Sequence, residues 1–468
     1  MEGAVSSFME SVPCPVGAHG SHSLRDILPG TVRRGESLLS ASERHCDLLV
    51  IGSGMAGMSA ALFASNRGIS TALIGNTGGM RFFSGLLDLM SVYPIASGKI
   101  WENPWEAIRM LSKDHSCPHP YSRIKPDIMK KAMDDFMVFL SESGLSYHID
   151  PDRNQTVITS VGTGKQTFGV PHTMTAGVRA FQEKSPCLIV GFPEIKGFSS
   201  RQVQETMGKS WPLLRLLNVR FPGGFHVLYP EQAAKEMEHE PCREKLAEIV
   251  LPHLKDAAAV GFPAVLGVQN SMDVHRDLEK RLGVPVFEIP FLPPSIPGLR
   301  LQMVFQQQLA ERGVQTFFQE PVDKVPALDS GGFLLDIGEG TDHFRIRAKG
   351  VILSTGRFFS KGLKAERTGI RETIFNLPVC QPADRTCRHN TDFFARSGHD
   401  INMAGLAIDD WFRPLDRSGR PAFSALFAAG SILAYQDWIR MKCGSGLSIT
   451  TAYAAVEAFV QQVLGHDF

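Results

Sequence analysis

A glycine-rich turn near the start of the chain is the stretch whose residue types and spacing best suit chemistry. Gly52-Ser53-Gly54-Met55-Ala56-Gly57 fits the pattern G-x-G-x-x-G. Glycines at these positions allow a tight turn, close approach of a pyrophosphate to the backbone, and close packing of a helix on a strand. The N-H groups at the start of the following helix then bind phosphate. The motif predicts a nucleotide phosphate site at Gly52, Gly54 and Gly57.

The residues on either side of the turn predict the elements that the motif needs. Residues 47–51 form a short apolar run typical of a buried strand, and residues 55–67 predict a small-residue helix that stops at Gly68. Residues 69–74 predict a second strand. An ordinary glycine turn in an α/β domain is the alternative, but the strand and helix around the motif favour a binding turn.

A second glycine-rich segment near the C-terminus is typical of two-domain flavoproteins. Residues 426–430 predict a strand ending at Gly430, and Gly444 and Gly446 precede a terminal helix expected from about Ser448. Backbone N-H groups at such a helix start would face the pyrimidine ring of a flavin and favour its anionic reduced form. Alone, the segment fits a buried strand and a packed turn equally well. Together with the N-terminal motif, it predicts a flavin site.

The carboxylate that usually binds the adenosine ribose is missing from its expected place. It normally follows the second strand, but here Ile74 is followed by Gly75 and Asn76. Asn76 can make a hydrogen bond but cannot replace a bidentate carboxylate. The glycine turn therefore favours FAD, which has a pyrophosphate, whereas the missing carboxylate favours FMN, whose single phosphate can use the same helix start.

The rest of the chain predicts an α/β fold, in which a Rossmann-like flavin-binding domain carries an inserted α/β substrate or interaction domain. Apolar strands alternate with charged, helix-like segments through the middle of the chain, the strands at residues 187–190, 258–266 and 284–289 and the helical segments at 231–250 and 271–282. We expect a mobile N-terminal extension at residues 1–45 and a first part of the flavin domain at 46–100. The insertion is expected at 101–295 and the completion of the flavin domain at 296–468.

Composition excludes several classes of function. Basic and acidic residues both number 48, so a nucleic-acid partner is not expected. The eight cysteines form no C-x-x-C pair, which argues against an iron-sulfur cluster or a zinc site and fits a cytoplasmic protein. The longest nearly apolar stretch is too short to span a membrane, which takes about 20 residues.

Two apparent motifs do not hold. Gly162-Thr163-Gly164-Lys165 suggests a phosphate-binding loop, but Thr159 stands at the first glycine position and Gln166 replaces the metal-binding hydroxyl. The group of His115, Cys117 and His119 lies in a proline-rich stretch without further ligands nearby, so we expect a polar loop and no metal.

Several separated blocks resemble the B subunit of anaerobic glycerol-3-phosphate dehydrogenase. They are Phe83-Ser84-Gly85 with Leu87-Asp88-Leu89, His119-Pro120-Tyr121-Ser122, Leu292-Pro293-Pro294-Ser295 with Gly298-Leu299-Arg300-Leu301-Gln302, Phe358-Phe359-Ser360 with Gly362-Leu363, Ala365-Glu366-Arg367 with Gly369-Ile370-Arg371-Glu372, Asp392-Phe393-Phe394, and Cys443-Gly444 with Gly446. The blocks span about residues 46–460 in the family's order.

The resemblance implies a flavoprotein with FMN as cofactor, FAD being the alternative. It also implies two partners, a catalytic FAD-bearing subunit, and an iron-sulfur subunit that anchors the complex to the membrane. The complex would oxidise sn-glycerol 3-phosphate to dihydroxyacetone phosphate, pass the electrons to a quinone, and sit on the cytoplasmic face of the inner membrane. The residues predicted to bind the cofactor are Gly52, Gly54, Gly57, Asn76, Ser84, Gly85, Gly356, Gly430, Gly444 and Gly446.

Arginines in or beside the matching blocks are the candidates for binding a phosphate or taking part in catalysis. Arg300, Arg367 and Arg371, with Arg357, could converge on a pocket, or each could form a surface ion pair or donate to backbone carbonyls. Two other functions stay open at this point. One is a free-standing fumarate-reductase-like oxidoreductase that uses His172 or Arg371 for proton transfer, and the other is a flavin-free assembly subunit.

Overall fold

A computed structural model describes residues 43–114, 118–320, 322–324, 332–338 and 343–465. Residues 1–42 of the expected mobile extension lie outside the described residues, and so do His115 and Cys117. The sequence places residues 43–45 in the extension, but in the structure they begin the first strand, because Glu43, Arg44 and His45 pair in register with a later strand.

Strands and helices alternate along the chain. The strands are β1 (Glu43–Ile51), β2 (Thr71–Gly75), β3 (Tyr147–Ile149), β4 (Gln155–Ile158), β5 (Gly164–Thr167), β6 (Gly169–Pro171), β7 (Cys187–Gly191), β8 (Leu214–Asn218), β9 (Ala259–Pro263), β10 (Val286–Ile289), β11 (Gln315–Phe318), β12 (Val322–Lys324), β13 (Phe333–Ile337), β14 (Phe344–Leu353), β15 (Leu363–Ala365), β16 (Ile370–Glu372) and β17 (Leu426–Ala428). The helices are α1 (Met55–Ser65), α2 (Pro104–Lys113), α3 (Pro126–Glu142), α4 (Thr175–Glu183), α5 (Ser200–Met207), α6 (Pro230–Glu236), α7 (Glu240–Val250), α8 (Ser271–Leu282), α9 (Ile296–Glu311), α10 (Trp438–Met441) and α11 (Gly444–Phe459).

The larger sheet joins the two ends of the described chain. Its order is β11-β2-β1-β14-β13-β12. The last residues of β14, which follow those that pair with β13, pair with β17. β1 runs parallel to both β2 and β14, and its residues Leu48, Leu49 and Val50 are fully buried, as expected for a strand covered on both faces. Helices α1 and α11 pack against each other beside this sheet. The predicted α/β class is confirmed.

A second, four-stranded parallel sheet with the order β10-β9-β7-β8 lies within the segment predicted as an insertion. It has its own hydrophobic cores. The helix expected over 231–250 is two helices, α6 and α7, because Pro241 lacks an N-H and restarts the helix in its first turn. The described residues from Glu43 onward form one compact unit, so the boundaries at 100 and 295 stay a prediction.

The carboxyl ends of the parallel strands define where a ligand can bind. β1, β2, β14 and β17 run in the same direction, so Gly52, Asn76, Gly356 and Gly430 follow them at one edge of the sheet. In open α/β sheets, ligands bind outside this edge. None of the described helices is long and apolar enough to cross a membrane.

Candidate cofactor site

In the predicted glycine turn, neighbouring atoms exclude a side chain at two of the three glycines and leave space for one at the third. Gly52 has a φ of +115°, and a Cβ there would collide with the carbonyl group of Ser354. A Cβ at Gly57 would collide with the carbonyl oxygen of Gly52. A Cβ at Gly54 would meet no atom within 4 Å. Packing therefore requires glycine at positions 52 and 57, whereas Gly54 faces space that a ligand can enter.

Helix α1 begins at this turn with its N-H groups available. Gly54 is its N-cap residue, no side chain caps it, and its first turn contains no acidic residue. Such a helix start attracts a phosphate through its N-H groups and its dipole. The hydroxyl of Ser53 donates to the carbonyl oxygen of Asn76, which ties the turn to the end of β2. Asn76 itself is exposed there, where the ribose contact of a dinucleotide is expected.

The last strands bring further predicted residues to the same edge. Gly430 follows β17 beside Ala56 of helix α1, and its N-H donates to the hydroxyl of Thr451 at 2.8 Å. Gly356 follows β14. Next to it, the hydroxyl of Thr355 is buried and has no hydrogen-bond partner among the residues that the structure describes. The structure thus brings Gly52, Gly54, Gly57 and Gly430 together and adds an unpaired hydroxyl that a ligand could bind.

The terminal helix α11 begins at Gly444, four residues earlier than expected. Gly446 donates its N-H to the carbonyl oxygen of Asp88 at 2.7 Å, and a Cβ on it would lie 2.8 Å from the hydroxyl of Tyr121. The hydroxyl of Ser445 accepts from the N-H of Asp88 at 2.5 Å. The Gly446 N-H is therefore used within the protein, and its assignment to the cofactor stays a prediction, as does that of Gly444.

Ser84 and Gly85 lie in a turn that contacts the start of α9. A Cβ at Gly85 would approach the ring of Pro297, and the Gly85 carbonyl accepts from the hydroxyl of Tyr147 at 2.8 Å. The Ser84 hydroxyl accepts from the N-H of Leu86 at 3.4 Å. These contacts fix the turn in place, but they do not test its role in binding a cofactor.

The candidate arginines do not converge on one pocket. Arg300 is buried and makes a bidentate ion pair with Glu288, with distances of 2.6 and 2.7 Å. Arg371 pairs with Glu366 at 2.8 Å on the surface, and Arg367 is exposed. The guanidinium of Arg300 therefore supports the second sheet, and the other candidate arginines lie in different surroundings.

Arg357 holds the segment that connects β17 to α11, which we call the closing segment (residues 431–443). Its guanidinium donates to four main-chain carbonyls, those of Asn402, Ser431, Leu433 and Gln436. Burial lowers the pKa of Arg357 to about 10, while Asp437 and Cys443 oppose that shift. Of the two interpretations that the sequence left open for Arg357, a phosphate ligand or a donor to backbone carbonyls, the structure shows the second.

Burial lowers the pKa of two histidines, His119 and His172. Burial lowers the pKa of His119 to about 3, and its Nδ1 accepts from the N-H of Tyr121 at 3.0 Å. His172 contacts the ring of His275, and burial lowers its pKa. Within the ranges that the structure covers, no group of His, Cys, Asp and Glu could hold a metal ion.

Comparison with known families decides what this arrangement belongs to. The chain matches the family described as "FAD binding domain" over residues 47–207 and 222–447. A Halobacterium salinarum protein, named as a probable B subunit of anaerobic glycerol-3-phosphate dehydrogenase, is 31% identical over 438 residues, which cover 90% of this chain and 99% of the relative. The chain belongs to the B-subunit family of anaerobic glycerol-3-phosphate dehydrogenase. The B subunit from Vibrio vulnificus is 28% identical, over 88% of this chain and 95% of its own length.

Solved structures of flavoenzymes are also similar to the chain. A 3-ketosteroid delta1-dehydrogenase from Sterolibacterium denitrificans is 13% identical, with a TM-score of 0.40 and coverage of 89% of this chain and 99% of that one. The E. coli quinol fumarate reductase FrdA is 12% identical, with a TM-score of 0.39 and coverage of 91% and 72%.

The family match corrects the choice of flavin. The matched FAD-binding region includes the turn at Gly52–Gly57 and the start of α11. FMN, the expected main cofactor, has no support from this match, and FAD, the alternative, is favoured. The residues present fit a dinucleotide flavin, since Gly54 opens to space at an uncapped helix start. The absence of the carboxylate led to the FMN prediction, which is not supported. That absence removes one contact to the ribose but does not affect the site for the pyrophosphate.

Proposed function

We propose that this chain is the FAD-binding flavoprotein subunit of an anaerobic glycerol-3-phosphate dehydrogenase complex. Oxidation of sn-glycerol 3-phosphate at C2 to dihydroxyacetone phosphate releases two electrons and two protons. A quinone takes up two electrons and two protons at the end of the route. Bound FAD can accept an electron pair and release single electrons, the form in which electrons pass through an iron-sulfur subunit.

The observation that carries the proposal is the open position at Gly54 within a chain that matches B-subunit relatives over nine-tenths of its length. The residues of this chain bind and orient the flavin. The start of α1 would hold the pyrophosphate, and Thr355, Gly356 and Gly430 border the same edge.

The proposed complex has two further members. One partner is a catalytic FAD-bearing subunit, which oxidises the substrate. The other is an iron-sulfur subunit, through which the complex lies on the cytoplasmic face of the inner membrane. The support for this assembly is the family to which the chain belongs, whose named members are subunits of a larger enzyme.

The identity of the flavin has a direct test. Acid release of the flavin from the purified chain, followed by chromatography, is expected to give FAD in equimolar amount to the protein. The reason is that the N-H groups at the start of α1 can bind both phosphates of a dinucleotide. Recovery of FMN would show that the site takes a single phosphate, and a colourless protein would favour a flavin-free assembly subunit.

The role in the complex is tested by omission. We expect membranes that contain the two partner subunits without this chain to transfer electrons from glycerol 3-phosphate to a quinone at a strongly reduced rate. Adding back the FAD-loaded chain is expected to restore the rate, measured as quinone reduction at saturating substrate. A control with the apo chain separates electron transfer from assembly. Full activity without this chain would refute the proposed function.

A further inference from the structure

Two exposed phenylalanine rings meet at the edge of the larger sheet where the candidate cofactor site lies. Phe82 ends the short helical turn that follows β2, and Phe359 lies in the turn that follows β14. Their ring centroids are 4.7 Å apart at an interplanar angle of 72°, which is an edge-to-face contact. Phe82 is 54% exposed and Phe359 is 75% exposed. Burial therefore contributes little to holding these two rings in place.

The order of the strands places this contact across the glycine turn. Ile51, the last residue of β1, pairs with Ile74 of β2 on one side and with Leu353 of β14 on the other. Neighbouring strands lie about 4.8 Å apart, so the ends of β2 and β14 are about 9–10 Å from each other. The segment after β2 passes close to the turn, because a Cβ at Gly79 would lie 3.8 Å from the Cα of Gly54. The ring pair thus joins the two segments that flank the turn.

Each ring belongs to a segment that is fixed by a hydrogen bond near the ring. The carbonyl of Arg81 accepts from the N-H of Ser295 at 2.8 Å. The carbonyl of Lys361 accepts from the hydroxyl of Thr373 at 2.8 Å. Phe359 lies two residues before Lys361, at the exposed part of its turn. The two rings can therefore separate by rotation of exposed side chains, at the cost of one aromatic contact, while their segments stay in place.

Positive charge accompanies the rings in both segments. Residues 77–86 and 354–364 contain no acidic residue, and their basic residues are Arg81 in the first and Arg357, Lys361 and Lys364 in the second. Arg81 and Lys361 are exposed. The N-H groups and the dipole at the start of α1 add partial positive charge. Aromatic rings within a basic region match a dinucleotide, which carries phosphates as well as aromatic rings.

We propose that Phe82 and Phe359 form an aromatic clasp that closes over the pyrophosphate of bound FAD and retains the cofactor. FAD enters and leaves when the two rings separate, and the rings meet again over the bound dinucleotide. Replacing either ring removes the contact, so FAD is released faster. This inference rests on the proposed function only in taking FAD as the bound flavin.

The test is the rate at which FAD leaves the purified full-length chain. Each variant is loaded with FAD, diluted into buffer without FAD, and desalted at timed intervals to measure the flavin that stays with the protein. We expect Phe82→Ala and Phe359→Ala each to release FAD about fivefold faster than the unaltered chain, the factor that one edge-to-face pair supplies. Phe359→Tyr keeps the ring and is expected to release FAD within about twofold of the unaltered rate.

The double variant shows whether the two rings act as a pair. Because the loss of one ring already breaks the contact, Phe82→Ala with Phe359→Ala should release FAD at most about twofold faster than either single variant. Effects that multiply, to about 25-fold, would show that each ring acts separately and would overturn the clasp.

Phe393→Ala is the matched control. Phe393 is also 75% exposed, and it forms an edge-to-face pair with Phe394 at 5.1 Å between centroids. The strand before it is β16, which belongs to a separate two-stranded sheet. We expect this variant to release FAD at the unaltered rate. All three alanine apoproteins should unfold at similar temperatures, because the removed rings are exposed. A loss of stability in Phe82→Ala or Phe359→Ala with unchanged FAD release would assign the rings to the fold and overturn the clasp.

The outcomes separate the clasp from the proposed function. Faster FAD release in the two alanine variants of a chain that the complex does not need would keep the clasp and refute the function. Equal release rates in Phe82→Ala, Phe359→Ala and Phe393→Ala would refute the clasp, whatever the chain does in the complex. If the first two variants retained FAD normally but no longer bound the iron-sulfur subunit, the rings would be a docking contact for a partner, and the proposal would be wrong.

Discussion

Replacing Gly54 by alanine is expected to weaken FAD binding strongly while leaving the fold intact. A methyl group at this position meets no protein atom within 4 Å, and the backbone at φ −83° is accessible to alanine. The cost to the apoprotein is therefore that of a changed N-cap, about 1 kcal/mol or less. The same methyl group fills the space through which a pyrophosphate must approach, so we expect the FAD dissociation constant to rise at least about 100-fold, which corresponds to roughly 3 kcal/mol.

Gly57→Ala is the contrasting variant. Its methyl group would collide with the carbonyl oxygen of Gly52, so the turn itself must shift and the apoprotein should lose stability by about 1–3 kcal/mol. Thermal unfolding of both apoproteins, with flavin fluorescence titration, separates the two effects. If Gly54→Ala bound FAD with unchanged affinity, the pyrophosphate would not lie over this turn.

Replacing Arg300 by methionine is expected to destabilise the protein strongly and to reverse its dependence on pH. Arg300 and Glu288 are both buried, and the guanidinium also donates to the carbonyls of Leu266 and Gly267. Removing one partner of a buried pair leaves an uncompensated charge and costs about 3–5 kcal/mol. The double variant Arg300→Met with Glu288→Leu is expected to recover much of this loss, since it removes both charges.

The pH dependence follows from the pKa of Glu288. Burial alone would raise it, but the charge and hydrogen bonds of Arg300 hold it below its ordinary value of 4.5. In the unaltered protein this pair therefore stabilises the fold above that pH, and the contribution is lost as the pH falls through the lowered pKa. Without Arg300, burial raises the pKa, so Arg300→Met should lose stability as the pH rises.

Unfolding temperatures measured across a pH series show whether stability is lost as the pH falls, as expected for the unaltered pair, or as the pH rises, as expected for Arg300→Met. Arg371→Met is the control, because its exposed pair with Glu366 is screened by solvent and contributes little. If Arg300→Met unfolded at the same temperature as this control at neutral pH, the buried pair would not support the second sheet. A large loss of turnover without loss of stability would instead return Arg300 to the catalytic candidates.

Local sequence signals predicted much of the fold. Helix α8 was expected over residues 271–282 and has those bounds, because an apolar period of helical spacing ends at Gly283. The sequence predicts a start for the terminal helix that is too late, since Gly444 and Gly446 suggest a turn when read alone. In the structure they belong to the helix. Position 446 requires glycine because a Cβ there would approach the carbonyl oxygen of Asp88 too closely.

The site could be predicted only where its residues lie in one uninterrupted stretch of the sequence. The turn from Gly52 to Gly57 contains its own strand and helix context, so its position could be predicted. The ion pairs between Glu288 and Arg300 and between Asp88 and Lys165 join different elements, and no spacing rule shows that they meet. Burial then decides whether an arginine binds a ligand or supports the fold, and burial depends on the completed tertiary structure.

The pairing of β1 with β14 and of β14 with β17, and the packing of α1 against α11, have a consequence for biosynthesis. The phosphate turn leaves the ribosome early, but β14, β17 and α11 that enclose it come from the last quarter or so of the chain. Such long-range pairing cannot form before synthesis is nearly complete. We therefore expect FAD to be captured only after β17 and α11 have been synthesised, because a nascent chain arrested before residue 426 lacks the strand that pairs with the end of β14 and the helix that packs on α1.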